Sequence, residues 1–322
     1  MFDRYSDWGN AVFYLNRELL KENYKDLIDL PFYLTLFRQT EYTLSKIKKD
    51  QDVKNCRKLC KEGGLGLLDS TDQLILGIII TGRCMTAGQL KAYYLLRAGE
   101  ISSKRIKRGL ERLYYLGLIA RVRMQDTDDH SCYLKMYVPT NDGYKLGRAM
   151  HAPFLTIKKD CIIGEYYRGW GRFFKQSVIY NQIVLNQLLY NPSLRRFSLS
   201  DVSFPKANRY HIVPLCLMID GHDYCFAMAE QFEYWDIKRT LDRWVNYKKE
   251  RKREMTLVLI AYNKVTAAFA EQALKVVSDP GIHVVFTDAR EWFREAEGTY
   301  LGGYPFVPAQ LTDRLQTVRN TG

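Results

Sequence analysis

The chain has 322 residues, with 48 Lys and Arg against 36 Asp and Glu, a formal net charge of +12 and 47% hydrophobic residues. That apolar share excludes a disordered chain and supplies material for two ordinary domains or one large one. The positive balance points to an anionic partner, nucleic acid ahead of acidic membrane surface or acidic protein.

The seven cysteines are an odd number and stand singly, apart from Cys56 and Cys60. Cys84, Cys216 and Cys225 lie in apolar runs, where a thiol behaves as a small hydrophobe. Neither a disulfide framework nor a zinc site is indicated by this spacing; Cys216, His222 and Cys225 are close in sequence but lack the rest of a metal-ligand pattern. The opening stretch MFDRYSDWGNAVFYLNREL is charged and lacks a signal-peptide core. No apolar run approaches the roughly 18 residues of a membrane span. Reduced thiols, a cytoplasmic location and no membrane partner are therefore expected.

Residues 1–66 read as a helical N-terminal extension, with aromatics interleaved in FYLTLFRQTEYTL and a basic end in KIKKDQDVKNCRKLCK. Gly63, Gly64 and Gly66 break the pattern. Residues 67–150 then form one unit. Asp69 to Thr71 can start a helix over QLILGIIITG, which Gly82 ends, and Thr86 can cap a second helix, AGQLKAYYLL. Ser102 or Ser103 can cap a third, which Gly117 closes within LYYLGLI. A strand LIARVRM, a polar turn QDTDDHS and a returning strand CYLKMYVP follow, and TNDGYKLGRAM adds a last helix capped by Thr140 or Asn141.

Three helices and a two-stranded hairpin in this order, with the LxxLGLI exit, resemble the winged helix-turn-helix. The resemblance covers about eighty residues, 67–150. It implies that the N-terminal half of the third helix enters the major groove. That half carries Ser103, Lys104, Arg105, Lys107 and Arg108, and Arg112 continues the series. Ile106, Leu110, Leu113 and Leu116 fall near one face and bury against the first two helices, so the cations project outward together. A solvated helix in a protein-binding module is the competing reading. Asp126, Asp128 and Asp129 make the wing acidic, so it is expected to stand off the DNA or to be disordered. Arg121 and Arg123 lead into that wing.

Residues 151–176 read as a linker, ending in the aromatic and basic YYRGWGRFF. Residues 177–297 change to helix, two strands, a turn at Asp220 and Gly221, a strand, helix, strand, helix and strand, which is an α/β pattern. Residues 298–322 are a Gly- and Pro-rich irregular tail. The fold class is thus α+β: a winged helix-turn-helix domain, then an α/β domain with a mixed sheet.

This order behind a winged helix resembles the replication-relaxation family of bacterial plasmids and mobile elements, whose second domain is like the PD-(D/E)xK nucleases. The family shows a Pro-Asp pair ahead of a hairpin, a strand ending F-x-x-E-x-D, and a basic-aromatic helix end. Here the pair reads Pro205-Lys206, and the strand aligned on Phe226 puts Ala229 and Gln231 where the acids stand. Glu230 is nearby, but strand alternation turns it to the opposite face. Trp244, Tyr247, Lys248 and Lys249 match the helix end, and Lys248, Lys249, Arg251 and Lys252 are candidate contacts to DNA backbone. Clustered carboxylates are what hold a divalent cation beside a scissile phosphate. No catalytic residue, metal or cofactor is therefore assigned.

The resemblance implies a sequence-specific double-stranded DNA-binding protein acting in replication, relaxation or transfer of a mobile element. A relaxase or replication initiator and a second copy of the chain are the partners it suggests. The alternatives are a transcription regulator, a metal-dependent DNA endonuclease, and a scaffold that binds protein alone.

Overall fold

The computed structural model describes residues 40–45, 68–131, 133–150, 170–190, 194–203, 212–219, 222–229, 242, 255–261, 283–288, 295–296 and 299–300. The expectations for residues 1–39 and for the tail beyond 300 lie outside the described residues. So do those for the basic run from Lys248 to Lys252. Mixed helices and sheets make the chain α+β, and its contacts divide it into residues 1–181 and 182–322.

In the first unit, Asp69 caps helix α1 (Ser70–Gly82) by accepting the Asp72 N–H at 2.9 Å. Strand β2 (Met85–Thr86) leads into α2 (Ala87–Ala98), where Thr86 and Gln89 form a reciprocal capping box. Ser102, rather than Ser103, caps α3 (Ser103–Tyr115), its hydroxyl accepting the Arg105 N–H at 3.2 Å. Gly117 leaves that helix with φ 69°, a left-handed value that suits glycine. The chain then runs through β3 (Ile119–Asp126) and β4 (Tyr133–Pro139) into α4 (Asn141–Met150). Thr140 caps α4 by accepting the Gly143 N–H at 3.1 Å.

One expectation is corrected here. Residues 40–45, placed in a helical extension, form a strand, β1 (Thr40–Ser45), paired antiparallel with β3 from Thr40 opposite Asp126 to Ser45 opposite Arg121. Its segment TEYTLS is mostly β-branched, aromatic or hydroxyl-bearing, and the β3 edge offers unpaired backbone groups for it to satisfy. The sheet order is β1-β3-β4-β2, all antiparallel.

Alternation decides what the sheet buries. Val122, Met124, Leu134, Met136 and Val138 are buried, as are Ile75, Leu76 and Ile79 of α1, Leu90 and Leu96 of α2, and Ile106, Leu110 and Leu113 of α3. Helix α4 comes so near the exit of α3 that a Cβ added at Gly143 would run into the Leu118 backbone carbonyl.

Helix α5 (Trp170–Tyr190) starts earlier than the expected boundary at 177, so residues 170–176 are helical rather than linker. Its N-terminal half belongs to the first unit through buried polar groups. Gln89 Nε2 donates to the Val178 carbonyl at 2.8 Å, and Asn181 Nδ2 donates to the Gly82 and Cys84 carbonyls at 2.8 and 3.0 Å. Those carbonyls sit at the end of α1, where helices leave acceptors unpaired.

The second unit holds a five-stranded sheet of order β5-β6-β7-β8-β9: β5 (Leu194–Ser203), β6 (Ile212–Ile219), β7 (His222–Ala229), β8 (Met255–Ala261) and β9 (His283–Asp288). The first three pair antiparallel and the last three parallel, a mixed sheet. Its first strand lies at Leu194–Ser203, ahead of all but the first residue of the stretch Ser203–Gln231 over which the sequence pattern spreads three strands. Pro214, which has no N–H to give, falls at the register shift between Leu199 and Val202. Strand β8 is buried from Thr256 to Ile260, the continuous apolar pattern of a strand covered on both faces. A two-stranded ladder, β10 (Glu295–Ala296) with β11 (Thr299–Tyr300), ends the described residues. No helix among the described residues is long and apolar enough to cross a membrane.

The Gly143 contact can be tested directly. Gly143→Ala gains helix propensity but drives a methyl group into backbone that cannot rotate away. It should lower the unfolding free energy in urea by about 1–3 kcal/mol, the usual range for overpacking.

Candidate nucleic-acid interface

Helix α3 buries Ile106, Gly109, Leu110 and Leu113. Positions 104, 107, 108, 111 and 115 fall on the opposite side of the 3.6-residue repeat. Lys104, Lys107, Arg108 and Tyr115 are exposed there, and none of the three cations makes an ion pair among the described residues. Ser103 is also exposed, and its hydroxyl accepts a hydrogen bond from Lys91 Nζ of α2 at 3.1 Å. That contact adds Lys91 to the basic surface, a residue not singled out by its place in the apolar AGQLKAYYLL.

Arg105 and Arg112, expected to project outward with the other cations, reach back toward α1 as well. They stand two helical turns apart on the flank of α3 that faces α1. Arg105 Nη1 lies 3.1 Å from Asp72 Oδ1, and Arg112 Nη1 lies 2.7 Å from Asp72 Oδ2. Both also approach Asp69, Arg105 Nη2 at 2.5 Å and Arg112 Nη1 at 3.6 Å. The Asp72 side chain is 0% exposed, against 26% for Arg105 and 47% for Arg112. A carboxylate taken out of water is stable as an ion only when charge and hydrogen bonds meet both oxygens, and the two guanidiniums do that. Gly109, between the two arginines, lets α1 close in: a Cβ there would stand 2.6 Å from Ile75 Cδ1.

The β3–β4 hairpin adds a second basic surface. Its outward positions carry Arg121, Arg123 and Gln125 on β3 and Tyr133, Lys135 and Tyr137 on β4, with Arg121 opposite Tyr137 and Arg123 opposite Lys135. The guanidinium carbon of Arg121 sits 3.9 Å from the centre of the Tyr114 ring, and that of Arg123 sits 4.2 Å from the centre of Tyr133. Lys135 Nζ shares the Tyr133 ring at 5.2 Å. Cation–π contact fixes each charge over a ring while leaving it able to meet an anion. Exposed Thr43 and Ser45 of β1 stand opposite Arg123 and Arg121. Burial pushes the Tyr137 hydroxyl above its ordinary range, so it stays protonated at neutral pH.

The hairpin turn is folded around its own acids. Asp126 is buried and accepts the Asp128 N–H at 2.9 Å, while Asp129 accepts the Ser131 N–H and hydroxyl at 3.0 and 2.6 Å. Asp128 and Asp129 remain exposed, so the tip is acidic while the flat of the hairpin is basic. The basic flat was readable in the alternation of ARVRM and YLKMY, which puts Arg121, Arg123 and Lys135 on one face.

In the second unit, Ala229 ends β7 opposite Ala261 of β8. Pro205, Lys206, Glu230, Gln231, Trp244 and Tyr247 lie outside the described residues, as do Lys248, Lys249, Arg251 and Lys252. His222 Nε2 faces Thr256 Oγ1 at 2.9 Å, and its ring lies 4.7 Å from that of Tyr224 on the same strand face. Cys225 is three residues on and so faces the other way. Among the described residues no three His, Cys, Asp or Glu side chains gather as a metal site.

The ion-pair cluster yields a stability test. Asp72→Ala removes the buried carboxylate, leaves both guanidiniums with Asp69 alone, and should lower the unfolding free energy by about 3 kcal/mol. Arg112→Ala, which removes a half-exposed partner and leaves Arg105 in place, should lower it by about 1 kcal/mol. Urea unfolding of both variants checks the order. A search of protein-family models, curated proteins and solved structures finds no match to this chain.

Proposed function

We propose that the chain is a sequence-specific double-stranded DNA-binding protein whose first unit is a winged helix-turn-helix, acting in the cytoplasm in replication, relaxation or transfer of a plasmid or mobile element. The observation that carries this reading is the outward face of α3, where Lys104, Lys107 and Arg108 are exposed and make no ion pair among the described residues. A helix about 10–12 Å across fits the major groove, and Lys and Arg read guanine edges or grip phosphate there. Arg105 and Arg112 serve this face by fixing the rotation of α3 against α1 rather than by touching DNA.

The basic flat of the hairpin supports the same reading. Arg121, Arg123 and Lys135 suit sequence-independent contact with phosphates beside the groove that holds α3. The exposed Asp128 and Asp129 keep the tip away from the backbone.

In the second unit, an antiparallel hairpin continuing into parallel strands supports the likeness to the PD-(D/E)xK frame. Alanine at 229, and lysine and glutamine at the other two acidic positions of the alignment, favour binding or assembly over phosphodiester hydrolysis. Its partners on this reading are a relaxase or replication initiator and a second copy of the chain.

Sequencing the DNA recovered with the protein should return one motif, lying over an origin or transfer region. On that motif, Ala in place of Lys104, Lys107 or Arg108 should weaken binding by about 1–3 kcal/mol for each base-reading contact. Ala in place of Arg123 or Lys135 should weaken binding to every sequence alike. The slope of log affinity against log salt should also become shallower, by about 0.9 for each phosphate the variant no longer neutralises. Affinity unchanged in all three α3 variants overturns the recognition-helix assignment.

Plasmid incubated with the protein and Mg²⁺ or Mn²⁺ should stay intact. Sustained cleavage that Glu230→Ala abolishes would overturn the reading of the second unit.

A further inference from the structure

The second unit carries a pair of thiols placed by the sheet itself. The β6–β7 hairpin closes with Ile219 opposite His222, leaving 220 and 221 as a two-residue connection. Pairs that flank such a turn exchange both backbone hydrogen bonds, and the ladder alternates from there. Counting back through Met218–Asp223 and Leu217–Tyr224, the third step is Cys216 opposite Cys225, a non-hydrogen-bonded pair. In that class the α-carbons stand about 4.5 Å apart and the side chains are at their closest, inside the roughly 4.4–6.8 Å that a disulfide spans. The geometry agrees: both side chains are thiols, and the sulfurs lie 3.4 Å apart.

The two sulfurs differ in access. Cys225 is 0% exposed, while Cys216 is half-buried. His222 faces the other side of the strand, toward Thr256 and Tyr224. Among the described residues no third metal-ligating side chain gathers with them, so the two sulfurs make a poor metal site and a well-placed redox couple.

We propose that Cys216 and Cys225 form a reversible dithiol–disulfide site whose substrate is a low-molecular-mass disulfide of the glutathione class. The Cys216 thiolate, the accessible one, attacks one sulfur of the small disulfide, forms a mixed disulfide and expels one small thiolate. Cys225 loses its proton and attacks the Cys216 sulfur, expelling the second. The protein loses two electrons and two protons, and the small disulfide becomes two thiols. Closing the bond brings the sulfurs about 1.4 Å nearer, to the ~2.05 Å bond length, which side-chain rotation supplies without parting the strands. The cross-link ties the hairpin from which the parallel half of the sheet continues.

The test uses the full reduced chain incubated with glutathione disulfide, then denatured, alkylated and mapped by mass spectrometry. The expected result is a peptide pair joined through Cys216 and Cys225, two fewer alkylated thiols, and full recovery on adding dithiothreitol. C225S should halt at a glutathione adduct on Cys216, whereas C216S should react far more slowly. Wild-type chain in which both cysteines remain alkylatable overturns the proposal. A stable glutathione adduct on wild-type Cys216 beside an unmodified Cys225 does the same.

Discussion

The position of α3 depends on one carboxylate that water cannot reach. Asp72 lies in the first turn of α1, where the helix dipole favours negative charge. Its side chain points at α3 rather than at solvent and is enclosed by Arg105 and Arg112. A buried ion pair adds little net stability over a packed apolar contact, but removing one partner is severe. Its larger effect here is angular. Two arginines seven residues apart, both tied to one side chain of α1, leave α3 a single rotation about its axis. Gly109 between them permits the close approach that makes these bonds short. The direction in which Lys104, Lys107 and Arg108 project follows from that lock.

Much of the first unit was legible because short-range chemistry decides it. Asp69, Thr86, Ser102 and Thr140 each precede a helix and each accepts a backbone N–H there, so small polar residues ahead of periodic apolar runs gave sound boundaries. What was not legible depends on partners far along the chain. Arg105 and Arg112 look like their neighbours Lys104 and Arg108 in any local window. Only the contact with Asp72, more than thirty positions earlier, separates locking cations from free ones. The same holds for β1, whose pairing partner is some eighty positions away, and for Asn181 and Gln89, polar residues that a helical pattern assigns to solvent. In the second unit, the apolar run of β8 and the Asp220–Gly221 turn announced strands, whereas β5 began earlier because its paired length is set by β6.

The hairpin shows why net charge over a segment misleads. Residues 119–139 hold three acids and three Lys or Arg, which reads as neutral when taken as a string. Strand alternation separates them in space. Arg121, Arg123 and Lys135 share the outward face, and tyrosines hold them in place. Asp126 is turned inward, and Asp128 and Asp129 gather at the tip. An anion approaching the flat meets three cations before it feels the tip, because interactions between exposed charges fade over roughly 8–10 Å at physiological salt. The acidic tip then sets an edge to the basic surface rather than cancelling it.

The same parity rule governs the second unit and gives its cysteines their meaning. A one-residue slip of β7 against β6 would carry Cys225 to the face of His222 and Tyr224 and set Cys216 opposite tyrosine or phenylalanine. The register is held on both sides, by the two-residue connection at one end of the hairpin and by seven parallel pairs with β8 along the other edge of β7. The thiols are therefore brought together by constraints that do not involve sulfur. Reduction or oxidation changes one bond within a sheet whose pairing is already complete, so the site can cycle without unfolding the strands that present it.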